Sequence, residues 1–471
     1  MRITRARGAA VTAAALTLTL TLAACSGGSD GGSSDGGGGG DVTAADIDAA
    51  LDAEGTTTLQ YWSWVPNLQP TVDLWNEAHP NIQVELTNAG QSADQYTKLQ
   101  NAIKAGSGAP DLAQIEYFAL PQFALGESLV SLDDVGLSDL ESDFTASAWE
   151  QVAAGDGHYA FPQDTGPMVM FYRADILERL GVEAPTTWDE FLTVARAIKA
   201  DNPENFIASI DPGDAGGVDS LIWQAEGRPF SVEGTDVNIS FGDEGTQKFA
   251  ELWDTLISEQ LVDVAGGWND AFWRSLDSGR YAMWMTGAWA PGSLETNIPS
   301  TAGSWKAATM PVWEAGTPAN AENGGSGTAV LAKSENKAAA LAFARWLSTD
   351  SEAVQAQVDA GLFPSTSSIM ADTDFLGATS DFFGGQAVNE VFVQASKDVS
   401  SGWQYLPFQV YANSVFGDTA GQAFSNATPI ADGLTAWQDQ ITTYGNGQAG
   451  VVRGVRTSLS LLSVVVRGGS A

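Results

Sequence analysis

The chain has 471 residues, 44% hydrophobic and 10% aromatic, enough for a packed globular protein of two or more domains and too apolar for a disordered one. Its 58 acidic and 21 basic residues give a formal net charge of -37, which opposes attraction to nucleic acid or to anionic lipid. A single cysteine, Cys25, excludes an intrachain disulfide, and two histidines, His79 and His158, leave no His/Cys metal cluster.

Arg2, Arg5 and Arg7 precede an apolar, small-residue run from Ala9 to Ala24, and a Gly/Ser/Asp spacer follows to Gly40. A basic start, a short apolar run and small residues before the cut mark a secretory signal peptide, too short and weakly apolar for a permanent spanning helix. Leu22-Ala23-Ala24-Cys25 resembles the lipobox of a bacterial lipoprotein signal. That resemblance implies cleavage before Cys25, lipids on that cysteine and a tether to the outer face of the cytoplasmic membrane. The spacer is expected to be a flexible tether.

The body opens with an acidic helical stretch, Ala44–Ala53, and a strand over Thr57–Ser63 ending in Tyr61-Trp62-Ser63-Trp64. A helix at Thr71–Ala78, an alternating strand at Ile82–Thr87, a helix at Asp94–Ala105 and a strand at Asp111–Glu116 follow. Strand and helix in alternation begin an α/β domain with a parallel sheet. A hairpin at Gly155–Pro162 leads into Gln163–Pro167, then a strand at Met168–Tyr172 and a helix at Ala174–Leu180. Thr187 and Glu190 are placed for a capping box on the next helix. Further on come a strand at Phe206–Ile210, helices at Ser220–Ala225 and Glu244–Glu259, and a strand at Gly279–Met285. Trp305–Pro311 is an edge-like strand, and Ser334 is placed to cap the Ala-rich helix Glu335–Leu347. Helices at Ser351–Ala360, Phe382–Ala395, Val410–Phe416 and Ala431–Tyr444 complete the pattern. From Val451 the chain changes character, with Arg453, Arg456 and Arg467 and no acidic residue, and is expected to lie outside the folded body.

Catalytic motifs are weak. Gly324-Gly325-Ser326-Gly327-Thr328 lacks the Gly-Lys-Ser/Thr end of a phosphate loop, while abundant carboxylates leave a glycosidase pair open by counting alone. The stronger signal is sixteen tryptophans. Trp62, Trp64, Trp284, Trp289 and Trp403, with Tyr117, fall at strand ends or beside glycine and proline, where a flat ring can stack on the C–H face of a sugar. Trp188, Trp253 and Trp346 sit inside amphipathic helices and read as core.

From Thr57 to Tyr444 the order of Tyr61-Trp62-Ser63-Trp64, Gly106–Asp111, Tyr159–Arg173, Gly279–Trp289 and Gly324-Gly325 resembles the extracellular solute-binding proteins of bacterial ABC importers, in the large sugar-binding group related to maltose-binding protein. The resemblance implies a periplasmic-binding-protein-like α/β fold, two lobes around a hinged cleft that closes on a solute. Its implied organisation is a signal peptide (1–24), a lipidated cysteine and spacer (25–56), a first lobe from 57–165 and 316–370, a second from 166–315 and 371–445, and an atypical tail (446–471). The chain is expected to cross between lobes near Thr165–Pro167, Pro311–Asn323 and after Phe363. The implied ligand residues are Trp64, Tyr117, Gln163, Asp164, Trp223, Trp289, Gly325 and Trp403, with Asp164 accepting a hydroxyl. The implied partners are a carbohydrate, the transmembrane subunits of an ABC permease, and the membrane through the lipid. No nucleic acid, cofactor, metal or catalytic residue is implied, and the protein is expected to be monomeric. A peptide or compatible-solute binder and a lipid-anchored glycoside hydrolase stay open as alternatives.

Overall fold

The computed structural model describes residues 42–234, 236–448 and 454–456. The leader, Cys25, the spacer and the tail residues 457–471 lie outside them. Strand Thr57–Trp62 pairs in parallel with Ile82–Thr87 on one side, Leu59 opposite Val84, and with Leu112–Glu116 on the other. Helices Gln69–Ala78 and Ala93–Ala105 make the crossovers, as strand alternation with amphipathic segments requires. Glu322–Val330 then runs antiparallel to Leu112–Glu116, with Ser326 opposite Glu116, so the sheet is mixed.

The expected crossing at Thr165–Pro167 is one part of a single strand, Phe161–Arg173. Its first half pairs with Glu322–Thr328 and its second half, Met168–Arg173, lies between Met283–Gly287 and Trp305–Thr309. Proline and glycine punctuate loops in most sequences, which is why Gln163–Pro167 reads as one. Here Pro162 and Pro167 face partners at register shifts, where a missing N–H costs no ladder bond.

Three apolar clusters pack around this sheet. One joins Leu59, Trp75, Leu99, Ile115 and Phe161 to Leu341, Phe343 and Leu347. The other two lie on opposite faces of the second half of the long strand. Met168 and Met170 meet Phe191, Ile222, Phe249 and Trp437, while Val169 and Phe171 meet Leu276, Trp305, Phe383 and Phe392. That is the two-residue period of a strand buried on both faces.

Several local expectations change. Thr187 caps helix Trp188–Asp201 through the Glu190 N–H, but the Glu190 carboxylate accepts from Thr186, one residue earlier than a capping box needs. Ser334 does not cap the Ala-rich helix, which starts at Lys337; its hydroxyl donates to Asp111 and accepts from the Asn336 N–H. Gly454–Arg456, expected outside the body, pairs in parallel with Asp236–Asn238, where a short hairpin leaves an edge open to an extended segment. Among the described residues no helix is long and apolar enough to cross a membrane.

Candidate functional site

The C-terminal end of strand Leu112–Glu116 carries Glu116, Tyr117 and Phe118 to a cavity of 490 Å³, a volume typical of small-molecule sites. Two further stretches of the chain also line it. Asp211-Pro212-Gly213-Asp214 turns into helix Ala215–Gln224, capped by the Asp214 carboxylate at the Gly217 N–H, 3.0 Å. Gly266-Gly267-Trp268-Asn269 leads into helix Asp270–Asp277, where Asn269 accepts from the Ala271 and Phe272 N–H groups.

Trp268 is the exposed large apolar side chain among the described residues, with 56% of its surface in solvent. Its φ is +60°, a region bulky residues avoid, and the loop is held there by the Asp211 carboxylate accepting from the Gly267 N–H at 2.7 Å. Its ring stacks on Trp289 at 5.6 Å and 24°, and meets Trp284 edge-on at 5.5 Å and Trp273 at 5.8 Å. Trp289 is fixed in turn by its Nε1–H donating to the Asn323 carbonyl at 2.7 Å. That contact needs glycines: a Cβ on Gly287 would stand 2.2 Å from Trp289 Nε1, and one on Gly166 would stand 2.4 Å from the Asn323 carbonyl oxygen.

Four carboxylates line the cavity, Glu116, Asp211, Asp214 and Asp219, and no lysine, arginine or histidine does. Burial raises Glu116 above the usual carboxylate range, although Ser92 and Tyr96 bond to it; the Tyr96 hydroxyl donates at 2.9 Å. Burial holds Asp219 well above that range, with the Asp214 charge adding to it, while Gln409 Nε2 donates to Asp219 at 2.9 Å. Tyr405 also lines the cavity, and burial beside Asp219 and Glu322 keeps its phenol protonated far beyond physiological pH. The wall therefore offers flat rings, hydroxyl-directed acceptors and phenolic donors. Among the described residues no group of His, Cys, Asp or Glu side chains is placed to hold a metal.

Tyr117, Trp289 and Gly325 come together at this cavity. Gly325 has φ +100°, and a Cβ there would meet the Tyr117 ring at 2.6 Å, so the glycine admits the ring that lines the wall. The other five suggested residues lie outside its lining. Asp164 lies beneath it, with the Tyr117 hydroxyl donating to its carbonyl at 2.8 Å and its carboxylate accepting from the Ser326 hydroxyl. Gln163 is buried and bonded to Tyr61, Thr328 and Gln357. Trp64 packs edge-on against Tyr96 at 6.0 Å. Trp223 and Trp403 stack on each other at 5.2 Å, buried in the apolar cluster around Met168 and Met170. Sequence reading missed Trp268, Trp273 and the Asp211–Asp219 run. The signals were available: two glycines before an isolated tryptophan, and an acid–glycine turn feeding a helix.

A cavity walled by aromatic rings, one of them exposed, and by four carboxylates is suited to holding a small polar solute. Residues 61–354 match the model of the bacterial extracellular solute-binding protein family. A binding protein associated with an ABC transporter of B. animalis subsp. lactis Bl-04, solved with beta-1,6-galactobiose, is 37% identical, with a TM-score of 0.75 over 86% of this chain and 100% of that one. The galacto-N-biose-/lacto-N-biose I-binding protein of Bifidobacterium longum is 27% identical, with a TM-score of 0.73 over 83% and 98%. A lactose-binding protein of Rhizobium radiobacter is 26% identical over 80% of this chain and 91% of its own. The chain belongs to the bacterial extracellular solute-binding proteins, an extracytoplasmic family.

Proposed function

We propose that this protein is the lipid-anchored receptor of an ABC importer, and that it captures a neutral carbohydrate between its two bodies for delivery to the permease. One observation carries the reading: Trp268, held in a left-handed backbone conformation, presents its face to solvent while stacked on Trp289 at the mouth of an acid-lined cavity. A strained indole with one face open to solvent is suited to stacking on a pyranose, and carboxylates beside it suit the hydroxyls. The absence of a cation in the lining disfavours acidic sugars. Relatives that bind galactobiose, lactose and arabino-oligosaccharides support the ligand class. Binding, and no bond-making step, is the work assigned to the site.

Titration of intrinsic fluorescence against neutral mono- and disaccharides, amino sugars, uronic acids and a quaternary amine tests this. A saturable response to at least one neutral sugar is expected, and Trp268→Ala should weaken it ten-fold or more, about 1.4 kcal/mol. Saturation by the quaternary amine alone would transfer the site to a compatible solute. The anchor rests on Leu22 to Cys25. Cys25→Ser should release the protein from the membrane fraction into the medium; retention of the variant at the membrane would refute the lipid.

A further inference from the structure

We infer that Trp268 is a displaceable lid on Trp289: in the free protein its indole covers a face of Trp289 on which a saccharide ring can stack, and binding swings the Gly266-Gly267-Trp268 loop outward so that the ring is held between the two indoles. The inference rests on the carbohydrate reading above and adds to it how the solute gains entry.

The spacing makes the two arrangements exclusive. The centroids of the paired rings lie 5.6 Å apart, with 24° between their planes. Carbon atoms in contact stand about 3.5–4.0 Å apart, so a saccharide layer between two indoles needs them about 7–8 Å apart. That face of Trp289 therefore stacks on Trp268 or on a solute, never on both. The aromatic pairing itself keeps the lid shut while no solute competes for the face.

Of the two rings, Trp268 is the one that can move. Trp289 is anchored by its Nε1–H on the Asn323 carbonyl, and Cβ atoms on Gly166, Gly287 and Gly324 would stand 3.1, 2.2 and 3.0 Å from its ring. Trp268 is 56% exposed, so outward movement displaces water and leaves the core packed. Its loop joins strand Val262–Val264 to helix Asp270–Asp277, and Cβ atoms on Gly266 and Gly267 would meet nothing closer than 3.5 Å. Polar contacts hold it: the Gly267 N–H donates to Asp211 at 2.7 Å, and Asn269 Nδ2 donates to the Gly266 and Gly267 carbonyls at 2.8 and 3.2 Å. A swing that returns the Trp268 φ from +60° to negative values relieves the backbone. It gives up edge contacts with Trp273 and Trp284, which contacts with the solute's ring replace.

The test uses the full chain and the neutral sugars of the panel above, with β-1,6-galactobiose and lactose among them. Stacked indoles give an exciton couplet in far-UV circular dichroism, and subtracting the Trp268→Ala spectrum separates this pair from the Trp223–Trp403 stack. Saturation with a sugar that binds should cut that difference couplet to about half or less. In stopped-flow fluorescence Trp268→Ala should associate about three-fold faster or more, because no lid has to open, while binding more weakly overall, because one stacking face is gone. Melting curves show whether the variant is folded, and Trp268→Gly, which a φ of +60° suits, replaces it if it is not. A couplet that persists at saturation, or an association rate unchanged in the folded variant, overturns the lid and leaves the carbohydrate reading standing. No binding of any neutral sugar overturns both.

Discussion

Asp164 lies where three chain segments cross, beside Pro364 and opposite Ser326. Burial pushes its carboxyl up to about 7 from 3.8; Ser326 pulls it back, and the charges of Glu116 and Glu322 push it further up. Between about pH 4 and pH 7 the folded chain holds a proton there that the unfolded chain has released. Its contribution to stability is thus fully present below pH 4 and is lost as pH rises through 7. Asp164→Asn keeps an oxygen for Ser326 and does not titrate. Urea unfolding should show the variant gaining about 1–3 kcal/mol on the wild type between pH 5 and pH 8; a constant difference would remove the buried proton from the account. Residue chemistry was only partly legible beforehand. A tryptophan beside a glycine is visible in a sequence, but whether its ring is covered depends on a neighbour distant in the chain. Trp403 is covered by Trp223, whereas Trp268 is backed on one face by Trp289 and left open on the other.

Among the elements, the hydrophobic period carried most of the early strands and helices, because Thr57–Trp62, Ile82–Thr87 and Leu112–Glu116 have local patterns that tertiary packing reinforces. The long strand Phe161–Arg173 was not legible as one piece. Its continuity depends on changing partners midway, which no local pattern encodes. The strand ends beside it depend on close approach. Gly287→Ala places a methyl group against both Trp289 Nε1 and the Asn323 carbonyl oxygen. We expect sugar affinity to fall at least ten-fold with a stability loss of about 1–3 kcal/mol. Gly292→Ala, where a Cβ meets nothing within 4 Å inside helix Pro291–Asn297, should leave affinity unchanged. Titration and urea midpoints of the pair separate a displaced ring from a general penalty for alanine; equal affinity losses in both would reject the local explanation.

At the scale of the whole molecule, one buried acid ties the middle of the long strand to helix Ala146–Gln151. Glu322 accepts from the Thr165 hydroxyl, the Gly166 N–H and the Ser147 hydroxyl, each at 2.7 Å, and the Thr165 N–H donates to the Phe363 carbonyl. Such a cluster is where the proposed closure would pivot. We expect small-angle scattering to show a smaller radius of gyration in saturating sugar than without it, and identical curves would count against closure.

The first core has a further consequence for how the protein is made. Leu59, Trp75 and Ile115 are packed with Leu341, Phe343 and Leu347, more than 200 residues further along the chain. A chain emerging from its N-terminus cannot complete that core until Leu347 has been synthesised, so the first core does not mature as an early co-translational unit. A polypeptide that stays unfinished for most of its synthesis is one that an export channel can still thread.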